Sequence, residues 1–318
     1  MHGYALDPPT DPNLFTVCGI KEKISTHTLA DIGDLDVLTQ TMQKAGPDIV
    51  FHLAAQPLVR QSYANPVGTY LDNVMGTVNL LEAVRRTESV KAVVNVTSDK
   101  CYENREWVWP YREGEHLGGY DPYSSSKACS ELVTASYRRS FFSPSVAVAT
   151  ARAGNVIGGG DWGADRLVPD FLRAQAAGRP LKVRSPGAVR PWQHVLEPLA
   201  GYLQLAESLY SDGSEYEGAW NFGPNSSDAY TVQWVIEQLC KMLPNTSWEA
   251  ESEPQPHEAN VLKLDSSKAR TLLDWHPHWS ACTALKKTAA WHKALQQDED
   301  MTSFSLKQIR EYEETDIV

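Results

Sequence analysis

The 318-residue sequence has few cysteines, no excess of basic residues and no long apolar run, and each shortage removes a class of function. Its five cysteines, Cys18, Cys101, Cys129, Cys240 and Cys282, are odd in number, widely spaced and never arranged as C-x-x-C. That argues against a disulfide framework or a structural zinc. Lysine and arginine total 29 against 40 acidic residues, a formal net charge of −11, with the acids spread along the chain. A surface that tracks nucleic-acid phosphates is therefore not expected, although a local basic pocket for a small acidic ligand stays open. No stretch of about 18 apolar residues could span a bilayer, and no charged segment leading into an apolar one opens the chain. The expected compartment is the cytoplasm. His276 and His278 flank a proline, with no cysteine or carboxylate at a matching spacing, so no metal is expected.

With 42% apolar and 22% charged residues, the chain can bury a large core and form two linked lobes. Short runs rich in valine and alanine, Ile49 to Ala54, Ala92 to Val96 and Val146 to Thr150, predict buried parallel strands. Between them, Pro66 to Thr87 and Pro122 to Phe142 carry apolar residues at helical spacing, the second opening on its proline. Strand and helix in alternation imply a doubly wound parallel sheet. Beyond residue 155, breaks at Gly158 to Gly160, Pro169, Pro180, Pro186, Pro191, Pro198 and Pro224 indicate a smaller mixed α/β lobe. The expected division is 1–155 and 156–318, the second part returning some segments to the first sheet. Pro244 to Glu258 reads as a surface connection, and Cys282 to Gln297 as a terminal helix.

Ligands of open parallel sheets bind outside the carboxyl ends of the strands, and the reactive side chains gather there. Tyr123-Ser124-Ser125-Ser126-Lys127 sets a phenol and an ammonium four residues apart on one helix face. The cation would stabilise phenolate and lower the tyrosine pKa. Tyr123 could then take a proton from a sugar alcohol whose hydride leaves for a nicotinamide. Alone, Y-x-x-x-K also describes an ordinary helix start with an exposed lysine. The run Val93 to Thr97, however, leads into Ser98-Asp99-Lys100, a hydroxyl, a carboxyl and an amine at one strand's end, which suits proton transfer.

Ser98, Tyr123 and Lys127 resemble the hydroxyl, tyrosine and lysine of the short-chain dehydrogenase family, whose members bind NAD or NADP on a Rossmann sheet. Asp99-Lys100 narrows the resemblance to the sugar-nucleotide 4,6-dehydratases, which carry an acid and a base directly after that hydroxyl. Their usual pair is Asp-Glu; the lysine, with the segment Cys101 to Pro110, is similar to the branch acting on CDP-glucose. The resemblance implies a Rossmann-like sheet with a smaller sugar-nucleotide lobe, NAD as cofactor, CDP-glucose or another nucleotide sugar as substrate, and a homodimer or higher homo-oligomer. It implies that Asp7 bonds the adenosine ribose, its carboxylate disfavouring a 2′-phosphate. Asp31 and Ile32 would frame the adenine, a simple turn being the alternative. Leu53, Ala54 and Ala55 would border the cofactor, together with Tyr123 and Lys127. Gln56, Asn155, Arg166, Arg190 and Trp192 are the implied substrate contacts, the arginines because a planar guanidinium fits phosphate oxygens. Lys100 would remove the C5 proton, a structural ion pair being the alternative, and Asp99 would protonate the departing 6-hydroxyl. His194 is read as structural.

In that family the sheet opens with a strand, a G-x-x-G-x-x-G turn and a helix that receives the NAD diphosphate, roughly 30 to 40 residues in all. This sequence shows no such unit. Met1-His2-Gly3-Tyr4 aligns with the start of the second strand, and Gly158-Gly159-Gly160 comes too late to replace the turn. The absent strand would be central, so its neighbours would keep bare edges. A start placed too late and a degenerate fragment both account for this. Two other functions stay open. An epimerase or reductase on another nucleotide sugar needs no Asp99-Lys100 pair, and a non-catalytic remnant would bind nucleotide sugar without NAD.

Overall fold

The computed structural model describes residues 1–142, 144–251 and 261–315. The first five strands are β1 (His2–Ala5), β2 (Thr26–Leu29), β3 (Ile49–His52), β4 (Ala92–Val96) and β5 (Ala147–Ala153). β3, β4 and β5 lie side by side in parallel, and Gly218–Phe222, from far along the chain, joins the free edge of β5. The result is a Rossmann-like parallel α/β sheet.

Side chains alternate across a strand, and β4 shows how one short run feeds two cores. Ala92 and Val94 enter a cluster with Tyr202, Leu205, Trp220 and Phe222 on one face. Val93 joins Leu38, Leu81, Val84 and Phe142 on the other. Helices cover both faces: Leu196–Asp212 lies on the first, and Leu35–Ala45, Gly76–Arg85 and Pro122–Tyr137 on the second. A strand covered on both sides has no solvent face to encode, which is why it reads as an unbroken apolar run.

β1 pairs in parallel with β2, His2 opposite Thr26, and neither is bonded to β3. β1 and β3 therefore each pair on one side only, and among the described residues no strand lies between them.

The second half of the chain builds its own core from Phe171, Leu181, Trp192, Ile236, Leu239 and Leu285. Two sequence expectations need correction here. The helix expected over Cys282 to Gln297 spans Ala281–Gln296 but is not terminal, because Met301–Glu313 follows and packs beside it. Three residues of that last helix are buried, Met301, Gln308 and Tyr312. The segment Pro244 to Glu258 is not merely a connection: Trp248–Ala250 pairs in parallel with Leu181–Val183. Its residues 252–258 lie outside the described residues.

The glycine triplet after β5 serves close packing. A Cβ on Gly159 would come within 2.0 Å of the Trp291 ring, and Gly160 has φ +78°. Gly159→Ala should destabilise the fold by about 1–3 kcal/mol, visible as a lower Tm. An unchanged Tm would mean that Trp291 can move aside.

Two buried histidines make stability depend on pH. Burial, with Lys127 adding, lowers His52 to about 3; burial, with Lys287 adding, lowers His194 to about 4. Both are neutral in the fold, whereas the unfolded chain binds a proton at each near pH 6.5. The contribution of these two histidines to stability is therefore complete above about pH 6.5 and declines as pH falls toward 4 and then 3. For His194 the loss is on the order of 3 kcal/mol. Urea midpoints from neutral to acid pH should show it, with a shallower decline in His194→Gln; equal slopes in the two proteins would refute the assignment.

Candidate active site

β4 delivers Ser98, Asp99 and Lys100 at its carboxyl end, and the Pro122–Tyr137 helix brings Tyr123 and Lys127 alongside. The start of that helix is set locally. The Asp121 carboxylate accepts from the Ser124 backbone N–H at 2.9 Å and from its hydroxyl at 2.6 Å, and Pro122 occupies the first turn, where no N–H is needed. Tyr123 is thereby fixed in the first turn. Ser98, Asp99, Lys100 and Tyr123 line one cavity of about 500 Å³. Lys127 stands behind its wall, its ammonium donating to the Val96 carbonyl at 3.2 Å.

The electrostatics depart from the sequence expectation at one point. Tyr123 is not lowered: burial pushes its phenol up to about 12, the Ser98 hydroxyl pulling the other way and Asp99 adding to the rise. Burial likewise lowers Lys127 to about 8, against the favourable charge of Glu131. Both groups are almost completely removed from water, and desolvation penalises phenolate and ammonium alike. Asp99 is raised above the ordinary carboxylate range by burial, partly offset by Lys100, Ser98 and Arg190. Its Oδ1 accepts from the Ser98 hydroxyl at 3.1 Å, while the buried Oδ2 has no partner.

Asn155, Arg166, Arg190 and Trp192 line the same cavity. Arg166 reaches Asp161 at 3.1 Å near the mouth, and Arg190 is buried. Trp192 is chiefly a core residue, its indole N–H donating to the Tyr230 carbonyl at 3.1 Å. Gln56 is a correction. Its amide donates to Thr69 at 2.8 Å and accepts from the Leu58 backbone, so it braces the loop after β3 and does not line the cavity. Leu53 and Ala54 are exposed at the end of β3, with Ala55 half-buried, and Asp7 is exposed at the end of β1. Asp31 accepts from the Gly33 backbone at 2.7 Å, which is the turn alternative, while Ile32 packs over Gly76. His194 is buried edge-on against Trp279.

Tyr202 and Arg60 are among the cavity residues that sequence reasoning missed. Tyr202 faces the cavity from the Leu196–Asp212 helix, where burial first, then Asp99 and Tyr123, raises its pKa. Arg60 pairs with Asp165 at 3.1 Å at the rim, though the two are 105 residues apart. An aromatic at helical spacing reads as core, and nothing in the sequence signals an ion pair at that separation.

The residues present fit the nicotinamide and ribose end of NAD: a tyrosine near an unpartnered buried carboxylate oxygen, a lysine one helical turn further along the same helix, and exposed Leu53 in the cavity lining. For the diphosphate, the helix after β1 is a single turn, Leu14–Val17, opened by Asn13, and no glycine turn precedes it among the described residues.

Fold and site together define the class, a Rossmann-like α/β protein of the extended short-chain dehydrogenase type. Within it, the chain belongs to the GDP-mannose 4,6 dehydratase family, whose model matches residues 17–288. It is 50% identical to the CDP-glucose 4,6-dehydratase of Salmonella typhimurium, across 98% of this chain and 88% of that protein. It is 26% identical to the dTDP-glucose 4,6-dehydratase of Xanthomonas campestris, across 82% of this chain and 77% of that one. Among solved structures, the dTDP-glucose 4,6-dehydratase of Bacillus anthracis in complex with NAD matches with TM-score 0.75 at 21% identity, covering 94% of this chain and 89% of that one. The UDP-glucuronic acid 4-epimerase of Bacillus cereus gives TM-score 0.78 at 21% identity, covering 92% and 91%. These two show the shared fold.

Proposed function

We propose that this chain is a CDP-glucose 4,6-dehydratase, converting CDP-glucose to CDP-4-dehydro-6-deoxyglucose and water. One observation carries the reading: Asp99 and Lys100 line a single cavity with Ser98 and Tyr123, in a chain half identical to a protein of that name over nearly its whole length.

NAD, which Tyr123 and Lys127 would help to hold, would supply a reversible hydride acceptor for the exchange between sugar C4 and C6. The remaining steps fall to the chain's own residues. Tyr123, whose phenol must first lose its own proton to solvent, accepts the 4-hydroxyl proton as phenolate, with Ser98 beside it. Lys100, as the neutral amine, removes the C5 proton, made acidic by the 4-keto group; Asp99 protonates the departing 6-hydroxyl so that it leaves as water; and Lys100 gives its proton back to C5 as the hydride reaches C6. A carboxyl raised by burial keeps its proton to higher pH than an ordinary aspartate, which suits an acid. Arg190, Arg166 and Asn155 hold the nucleotide diphosphate, two planar guanidiniums suiting its oxygens.

Val67, Leu71 and Met75 recur every four residues, exposed, on the helical run that packs against Pro122–Tyr137, where Leu132 is also exposed. An apolar face of this kind supports a homodimer. No helix among the described residues is long and apolar enough to cross a membrane, and we place the enzyme in the cytoplasm, supplying a deoxysugar for surface polysaccharide. The division into a cofactor part, 1–155, and a sugar-nucleotide part, 156–318, belongs to the same proposal. The interrupted sheet favours a second reading, a protein that binds nucleotide sugar but not NAD.

The test is turnover of CDP-glucose with added NAD, followed by the alkali-induced absorbance of the 4-keto product. Product from another nucleoside diphosphate glucose alone would move the base preference. No product from any, with CDP-glucose still bound in calorimetry, would establish the second reading.

A further inference from the structure

Glu131 and Arg152 have no part in the mechanism above, yet each is a buried charge engaged in four hydrogen bonds. Both are buried, and they pair through two bonds, Arg152 Nε to Glu131 Oε1 at 2.8 Å and Nη2 to Oε2 at 2.7 Å. The Thr97 hydroxyl donates to Oε1 at 2.5 Å and the Thr150 hydroxyl to Oε2 at 2.7 Å. One carboxylate thus ties the Pro122–Tyr137 helix to β5 and to the end of β4. Thr97 is the residue before Ser98, and Lys127 lies one helical turn before Glu131.

A buried ion pair is a poor device for stability alone, because apolar residues of similar volume commonly replace it without loss. What it adds is charge in a fixed place. The groups around Lys127 show where that charge acts. Cys101, from the turn after β4, is a neutral thiol raised by burial, and His52, from β3, is neutral. Glu131 is the leading group that favours the ammonium against burial.

We propose that Glu131 is a positioning residue: it holds Thr97, and with it the Ser98-Asp99-Lys100 turn, and supplies the negative charge that keeps Lys127 an ammonium. Its effect on turnover rests on the dehydratase reading; its effect on Lys127 does not.

Glu131→Gln alone strands the Arg152 charge and endangers folding. The test therefore uses Glu131→Gln with Arg152→Gln, and Thr150→Val as a control that loses one hydrogen bond but keeps the charge. Lys127 is titrated in the ligand-free protein by NMR of ¹³Cε-labelled lysine, its signal assigned by loss in Lys127→Arg. In the double variant the Lys127 titration should move to lower pH by about half a unit or more, and in Thr150→Val it should stay. On CDP-glucose the alkaline limb should move with it, and kcat should fall roughly ten- to a hundredfold with little change in KM. An unmoved Lys127 titration overturns the proposal, whatever the substrate. A moved titration in a protein whose parent never turns over CDP-glucose supports Glu131 and overturns the dehydratase reading instead.

Discussion

Tyr123→Phe is expected to lower CDP-glucose turnover by roughly a thousandfold in a protein that still folds and still binds the nucleotide sugar. The ring is buried in the first turn of a capped helix, so phenylalanine keeps the packing and removes one oxygen. Since burial pushes the phenol up to about 12, the ligand-free protein holds it protonated near neutral pH, and the substitution deletes no charge. The stability change should stay within about 1–2 kcal/mol, the scale of one hydrogen bond. The loss must therefore appear in kcat rather than in Tm or in the calorimetric Kd. A residual rate within about tenfold of the parent would mean that another group takes the 4-hydroxyl proton.

Asp99→Asn and Lys100→Met should separate the two halves of the reaction, each cutting water loss by roughly 10²–10⁴ while hydride abstraction from C4 persists. They should differ in deuterated water. With Asp99→Asn the base remains and C5 should still exchange; with Lys100→Met that exchange should cease. Stability gives a further check with a definite sign. A carboxyl raised by burial makes the folded state bind its proton more tightly than the unfolded state does, so Asp99 costs stability as pH rises past the ordinary carboxylate range. Asp99→Asn should then match or exceed the parent Tm near neutral pH. A variant less stable than the parent would show that Oδ2 has a partner role the fold depends on. C5 exchange surviving in Lys100→Met would remove Lys100 as the base.

Much of the site was legible because its residues stand at strand ends and on one helix turn, where spacing along the chain maps directly onto space. Ser98, Asp99 and Lys100 follow β4, and Tyr123 and Lys127 share a helix face, so two short motifs predicted one cavity. Gln56 misled because it too follows a strand; that its amide would be used by Thr69 and Leu58 depends on how the next loop folds back. Trp192 lines the cavity its segment pointed to, and that it also packs into a core is a matter of tertiary structure. One missed signal was in plain view: Arg152 interrupts Ala147–Ala153, a strand otherwise made of alanine, valine and threonine, and a charge at such a position demands a buried partner.

The sequence alone determined the parallel strands, the helix that carries Tyr123 and Lys127, and the family, because each depends on local period or on neighbours a few residues apart. Tertiary structure decided the protonation of the site. It is burial, not the lysine beside it, that sets the Tyr123 phenol, and burial again that raises Asp99 and lowers Lys127. It also decided that Gly218–Phe222 would join β5, that Arg60 would meet Asp165, and that β1 and β3 would remain unpaired with each other. Desolvation and long-range pairing depend on everything packed around a group, and no window of sequence contains that.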